Sequence, residues 1–494
     1  MTVLDHVRRY RRAEGWRGLT EFAGLLALDN QTHDVPALRR NADLVAELFT
    51  ARGATMEILE LEGAAPLVTG QLGTDPRKPT IGVYVHYDGQ PAGPAGWHTP
   101  PFEPTLKAGD RTIPLPGAGD PVDDDWRLFA RGSADDKAPL AALLVAVDAL
   151  RAGGAEQAVN LVFCFEGEEE SGSPHLRDYL ERYRDRLRAD TWLICDGPVH
   201  HTGAPQVVLG VRGYCGVELT VYGPGHELHS GHYGNWAPNP ALRLAQLLAS
   251  CKGPDGRVTI DGFYDSTRPP SAAELAALAD LPPVEEALLG QLGFAAAEVP
   301  GSRLVDRLMW PSFNVKGLAA ADVGAAARNV VPASATASVD IRLAAGNDAG
   351  HMIGLVRAHL ERQGYLVLDR DPTDDERRTH PLLARLDGEI GYPAMRTSLD
   401  EPVVAHLADA ATRAGGRQAL VMPTLGGSVP LSYLAEILRA PTVVLPIANH
   451  DNNQHAANEN LRLGNLWYGV DLFAALLTAE PPRTAGPGGP AGPA

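Results

Sequence analysis

Apolar residues recur at helical spacing from Leu4 to about Arg52, and Thr80–Tyr87 (TIGVYVHY) follows as an unbroken apolar run of strand length. The stretch 100–125 is rich in Pro, Gly and Asp and reads as a surface excursion. RGSADDKAP comes next, with Pro139 suited to the first turn of a helix that runs through Leu150 and stops at Gly153–Gly154. Val159–Phe165 (VNLVFCF) reads as a second buried strand, His175–Arg188 as a mostly polar helix and Thr191–Cys195 as a third strand. Continuously apolar strands alternating with helices imply a largely parallel sheet covered on both faces.

The pattern changes near Gly213. Gly216–Tyr222 and Ala335–Leu343 alternate apolar and polar residues, whereas Asn239–Lys252 and Gly350–Gln363 have the spacing of amphipathic helices. Strands open on one face with helices on the other predict a smaller α+β domain, and the alanine-rich, proline-broken segment 265–310 reads as its elaboration. After about Pro393 the buried-strand pattern returns at Pro441–Ile447, and Asn460–Thr478 reads as the last long helix. The predicted fold is therefore α/β, a mostly parallel sheet over 1–212 and 393–480 with an inserted α+β domain over 213–392. The tail from 481 to 494 has nothing to bury and is expected to be disordered. No internal repeat is present.

At 494 residues the chain exceeds one ordinary core, which agrees with two domains. A composition 44% hydrophobic and 21% charged is that of a globular protein, and a formal charge of −18 argues against nucleic-acid or anionic-membrane partners, which need a basic face. No stretch has the apolar length of a signal core or a membrane span, so a cytoplasmic location is expected. Cys164, Cys195, Cys215 and Cys251 lack paired C-x-x-C spacing and are expected to be buried free thiols.

The chemistry lies where the predicted strands end. His86, Asp135, Glu170, Asp196 and one histidine of the 449–459 segment occupy such positions, and side chains beyond the carboxyl ends of strands in an open α/β sheet can converge on one crevice. Singly, each has an ordinary explanation: a loop histidine, a helix cap at Asp135, a solvated acidic turn at Glu168–Glu170. Together they do not, because two carboxylates about 4 Å apart repel by roughly 4 kcal/mol at an effective dielectric of 20, and bound cations relieve that repulsion. Asp88, two residues after His86, has the position of a carboxylate that orients a ligating imidazole. Position alone does not separate His450 from His455 as the last ligand.

The blocks HYDGQP, RGSADDK, EGEEESGS, the CDG after the third strand and HAANE together resemble the signature of the M20 metallopeptidases, nearest the branch that contains carnosine-type dipeptidases. The resemblance spans nearly the whole chain. It implies that His455 is the fifth ligand, that Asp135 bridges two divalent ions, that His86 and Asp196 hold one and Glu170 and His455 the other, and that Glu169 is the general base. Such a base suits hydrolysis, since it takes a proton from the attacking water and passes it to the leaving amine. Glu168 is an extra acid beside it. The resemblance also makes the inserted domain a lid and dimerisation domain, with His229 in ELHSGHYGN reaching a partner's site to steady the oxyanion. In the same way Asn329 and Arg342 are implied to hold a substrate carboxylate, a task for which the planar guanidinium is suited, and Gly426, Gly427 and Ser428 to form a substrate loop. Gly89 departs from the family's bulkier residue, and Arg396 is the one candidate to replace a later lid histidine that GYPAMRTSLD lacks.

The expected activity is hydrolysis of the amide bond beside a free C-terminal carboxylate in dipeptides or short peptides, by a homodimer with two divalent ions per subunit. Zinc suits the imidazole and carboxylate donors, and manganese or cobalt would also be accepted. The alternatives are an N-acyl-amino-acid amidohydrolase and a catalytically silent binding protein. Two-metal phosphate-ester hydrolysis lacks the Gly-rich cradle it would need.

Overall fold

A computed structural model describes residues 2–93, 95–427 and 431–482. The chain divides into two compact units. The first comprises the chain to Gly210, Thr397–Pro423 and the described residues from 431 onward; the second comprises Val211–Arg396 and the described part of Thr424–Ser428.

The first unit is built on an eight-stranded sheet in the order Thr55–Leu59, Leu67–Leu72, Asn160–Glu166, Thr80–His86, Thr191–Ile194, Thr442–Val444, Gln206–Val208, Leu420–Met422. Its four central strands are parallel, with His86 beside Glu166, Tyr84 beside Ile194 and Val444 beside Ile194. Every residue of Asn160–Glu166 and Thr191–Ile194 is buried, so both faces of the sheet are covered. Helix Ala138–Ala152, with Pro139 in its first turn, buries twelve of its fifteen residues. It packs against Val3–Leu26 and Leu463–Leu477. Such all-round apolar character marks a helix inside the core.

The second unit holds a five-stranded sheet in the order Ser312–Ala319, Ser334–Leu343, Gly213–Tyr222, Leu383–Ile390, Leu366–Leu368, antiparallel except for its last pair. Ser334–Leu343 alternates buried and half-buried residues along its whole length, and helices Pro240–Cys251 and Ala349–Arg362 pack on the apolar side. The segment 265–310 contributes three short helices, Ala272–Asp280, Glu285–Leu292 and Leu304–Leu308, to this unit.

Three expectations change. The polar helix at His175–Arg188 is only Leu176–Arg182, followed by a single 3₁₀ turn at Arg184–Arg186. Asn460–Arg462 is a strand paired with Arg127–Phe129, so the last helix begins at Leu463. The excursion 100–125 contains a hairpin, Thr105–Ala108 with Arg111–Ile113, which extends that same small sheet. Short pairings of this kind have too few residues to show a period. All four cysteines are free and buried. Among the described residues no helix is long and apolar enough to cross a membrane. The tail expected at 481–494 lies, from 483 on, outside the described residues.

Candidate metal centre

Parallel strands in register place their carboxyl ends along one edge. His86 is the last residue of its strand; Glu168–Glu170 follow Glu166 by a short turn, and Asp196 follows Ile194 by one residue. Asp135 arrives on the loop before helix Ala138–Ala152, and His455 on the loop after Thr442–Val444. These five side chains form two donor groups, His86 with Asp135 and Asp196, and Asp135 with Glu170 and His455. Within each group the candidate ligand atoms lie within 4.8 Å of one another. Asp135 belongs to both: its Oδ1 is 3.0 Å from His86 Nε2 and its Oδ2 is 3.0 Å from His455 Nε2. His455 Nε2 also lies 3.3 Å from Glu170 Oε2. His450 has a different environment, its ring 6.0 Å from that of His201.

The loops are held by hydrogen bonds to buried acids. Asp88, fully buried, accepts from the Glu169 and Glu170 N–H groups, one per oxygen, both at 3.1 Å, and its Oδ1 lies 3.4 Å from His86 Nδ1. The Asp88 carbonyl lies nearer still, 3.2 Å from His86 Nδ1, so this one residue fixes both the histidine ring and the turn that carries Glu169 and Glu170. Glu459, also fully buried, accepts from the Gly132, Ala134 and Asp135 N–H groups and from Arg131 Nη1 at 2.8–3.0 Å. It is the residue that sets the Asp135 loop. Reading the sequence identified the block that contains it and missed its role; an acid four residues after a ligand was the available signal. Gln90 Nε2 donates to Glu170 Oε2 at 2.9 Å.

The electrostatics call for cations. Burial, together with repulsion from Asp196, Glu170 and Asp135, holds Glu169 well above the usual carboxylate range. Burial would lower His86, but its hydrogen bonds to Asp135 and Asp88 overcome this and raise it. Burial would raise Asp135, yet the two histidines hold it low. The acids thus favour the protonated form of both imidazoles, whose positive charge lies between them in the ion-free protein. The basic side chains that flank Asp135 do not supply it: Arg131 is engaged by Glu459, and buried Lys137 donates to Asn41 Oδ1 at 2.7 Å and to the Leu25 carbonyl at 2.9 Å. Imidazole nitrogens and carboxylate oxygens, three donors to each group with one shared, fit divalent ions.

The remaining predicted residues lie in the second unit. Strand Leu228–His229 pairs with Val330–Val331, and the Ser230 N–H donates to the Asn329 carbonyl at 2.9 Å, which brings His229 and Asn329 together. His229 is exposed, its ring 4.6 Å from that of His232. Arg342 stands near the other end of Ser334–Leu343, eight residues or roughly 26 Å from Ser334 at ~3.3 Å per residue. It lies over the Tyr214 ring and 3.3 Å from Asp340. Asn329 precedes Ser334 by five residues, at the end of the strand opposite to Arg342. The Gly427 carbonyl accepts from the Arg212 N–H at 3.1 Å, whereas Ser428 lies outside the described residues. Arg396 is buried in an ion pair with Glu274 at 2.9 Å, so it serves as a structural cation.

A mostly parallel α/β sheet with imidazoles and carboxylates gathered beyond its strand ends defines a metal-dependent hydrolase. The model of peptidase family M20/M25/M40 matches residues 82–479, and the chain belongs to this family of metal-dependent peptidases. It is 27% identical over 490 residues to the Cys-Gly metallodipeptidase of Schizosaccharomyces pombe, covering 92% of this chain and 94% of that protein. It is 26% identical over 467 residues to the Beta-Ala-His dipeptidase of Mus musculus, covering 89% and 88%. The crystal structure of an M20 family metallo-carboxypeptidase from Sulfolobus solfataricus superposes with a TM-score of 0.76 at 26% identity, over 93% of this chain and 98% of that one.

Two predictions follow from this geometry. Asp88→Asn sets an amide NH2 against one of the two backbone N–H groups that now find a carboxylate oxygen, and it should weaken uptake of divalent ions by about 10–100-fold in calorimetric titration of the ion-free protein, with thermal unfolding followed in parallel. In that protein burial pushes Asp196 up to about 6 and Glu170 up to about 7, and the hydrogen bond to Asp135 raises His455 to about 8. An incoming ion must displace those protons, so affinity should fall as pH is lowered from 8 to 6, with protons released on binding. Titrations in buffers of different ionisation enthalpy count the protons; a pH-independent affinity would contradict the assignment.

Proposed function

We propose that this chain hydrolyses dipeptides or short peptides at the amide bond beside a free C-terminal carboxylate. Two divalent ions, zinc foremost, would be held by His86 with Asp196 and by Glu170 with His455, and shared by Asp135. The observation that carries this reading is the Asp135 carboxylate, which turns one oxygen toward each histidine. The dipeptidase relatives support the substrate class. When bound, the ions polarise the scissile carbonyl and acidify the hydrolytic water.

The chain's own residues do the rest. Glu169, with its raised pKa and a position among the metal-liganding acids, is suited to take the proton of the water and deliver it to the leaving amine. Arg342 offers a guanidinium for the substrate carboxylate, and the Gly426–Gly427 loop lets backbone approach it. His229 would stabilise the developing oxyanion, and Asn329 would join Arg342 in holding the substrate carboxylate. Because His229 adjoins Asn329 while Arg342 stands at the far end of the strand, one dipeptide is too short to touch both ends of a single second unit. The reading therefore includes a homodimer in which each site takes His229 and Asn329 from the partner chain. Four buried free thiols support action in a reducing compartment such as the cytoplasm.

A panel of dipeptides beside acetyl-, succinyl- and carbamoyl-amino acids, assayed with ion-loaded protein, tests the substrate class: turnover confined to the acyl derivatives would make the enzyme a deacylase. Glu169→Gln should lower kcat by about 10²–10⁴ while metal content is unchanged, as elemental analysis would show. His229→Ala alone should be similarly impaired. Mixed and re-equilibrated with Glu169→Gln subunits, it should recover about a quarter of wild-type activity, since about half of the dimers are mixed and each has one complete site. No recovery in verified mixed dimers would refute the shared site.

A further inference from the structure

The second unit contains a cavity of about 600 Å³ that has no part in the proposed chemistry. Helices Glu285–Leu292 and Leu304–Leu308 and the segment 294–302 form much of its wall, closed at the back by Val258, Tyr264 and Phe313. The volume lies within the range of small-molecule sites. Its lining is chiefly apolar, and Leu292 and Phe294 at its edge are among the most exposed large apolar side chains of the chain, 62% and 48% accessible. An apolar occupant would cover them.

Four basic side chains face this cavity, and two are already committed. Lys252 pairs with Glu298 at 2.6 Å, and Arg303 donates to the Leu278 and Leu281 carbonyls, both at 2.8 Å. The other two have no carboxylate partner within ion-pair distance among the described residues. Arg212 is 8% accessible; its Nη2 donates to Ser312 Oγ at 2.9 Å and to the Trp310 carbonyl at 3.1 Å, and its buried Nε has no hydrogen-bond partner. Arg307, one helical turn before Trp310, is exposed at the rim. Burying a guanidinium donor without an acceptor is costly, and in a chain of net charge −18 acids are abundant. A cavity with apolar walls and two unpaired guanidinium groups is complementary to an amphiphilic anion.

We propose that this cavity binds a small organic monocarboxylate with an apolar body, such as a medium-chain alkyl or an aryl acid, its carboxylate toward Arg212 and Arg307 and its apolar part against Leu288, Leu292 and Phe294. The site is distinct from the metal centre, whose ligands all belong to the first unit. It also touches the proposed substrate loop, since the Arg212 N–H holds the Gly427 carbonyl and Leu308 abuts Gly426.

The test is calorimetric titration of the full, ion-free chain with decanoate below its micellar concentration, with decanol as the neutral counterpart and an excess of Ala-Ala as competitor. One decanoate per chain is expected, with no loss of affinity in Ala-Ala and binding at least about tenfold tighter than that of decanol. Arg307→Gln and Leu292→Asp change exposed side chains, so they should each weaken decanoate about tenfold with thermal unfolding unchanged. Equal binding of decanol, displacement by Ala-Ala, or affinity unaffected by both substitutions would overturn the proposal. Because the readout uses ion-free protein, it is independent of whether the metal centre hydrolyses peptides.

Discussion

The dominant constraint on this molecule is like charge gathered in a small volume at one edge of a sheet. Asp135, Glu170 and Asp196, with Glu169 beside them, converge on two imidazoles, and Asp135 is shared by both halves of the cluster. In a folded chain such an arrangement persists only if something outweighs both repulsion and desolvation. The protein answers with directed backbone donors. Asp88 and Glu459 are themselves acids, buried deeper than the cluster, yet they are held by two and three N–H groups respectively, and Glu459 by a guanidinium as well. These two carboxylates convert loops into fixed supports. The last loop shows the cost: His455 and its neighbours Asn453 and Asn458 all adopt left-handed backbone, at φ values of 62°, 56° and 65°. Backbone of that kind concentrates at functional sites, where the surrounding structure can over-determine it.

The division of the chain follows from the same constraint. The candidate metal ligands require rigid parallel strands whose ends coincide, which the first unit supplies with a core closed on both faces. Recognition of a substrate makes the opposite demand, for side chains on a surface open to solvent. The alternating strand Ser334–Leu343 offers such a surface, with one face packed on helices and the other bearing Arg342, the proposed carboxylate anchor, while the short pairing of Leu228–His229 with Val330–Val331 lies beyond its opposite end. A strand of ten residues is a ruler. It separates Arg342 from the pairing that carries His229 and Asn329.

Much of this was legible in the sequence, and what was legible had a period or a strong terminator. Thr80–His86 and Asn160–Glu166 were readable because strands buried on both faces are continuously apolar, and helix Ala138–Ala152 because Pro139 and Gly153 bracket it. The small sheet of Thr105–Ala108, Arg111–Ile113, Arg127–Phe129 and Asn460–Arg462 was not, since strands of three or four residues carry no period and Asn460–Arg462 finds its partner more than 300 positions away. Positions of metal-liganding side chains could be read from strand ends, but His455 could be told from His450 only by resemblance. The structure separates them by where the loop points, which depends on left-handed backbone that composition does not announce. Glu459 was overlooked because a buried acid leaves no mark in a hydrophobic pattern.

The three consecutive glutamates after Glu166 sit in three different environments. Glu168 is occupied on both oxygens: Oε1 accepts from the Ala65 N–H at 2.9 Å, and Oε2 lies 2.9 Å from His175 Nδ1. A carboxylate so engaged is a strut, poorly placed to exchange protons with a substrate. Glu170 is tied to Gln90 and faces His455, as suits a ligand. Between them, Glu169 begins the 3₁₀ turn Glu169–Ser171 and its side chain accepts no hydrogen bond from the described residues, while burial and neighbouring acids lift its pKa. Of the three carboxylates it is the one not pinned by donors, and so the freest to exchange protons as the proposed general base must. These environments differ over single steps of chain, and Asp88, whose two oxygens accept from the Glu169 and Glu170 N–H groups, holds the turn that separates them.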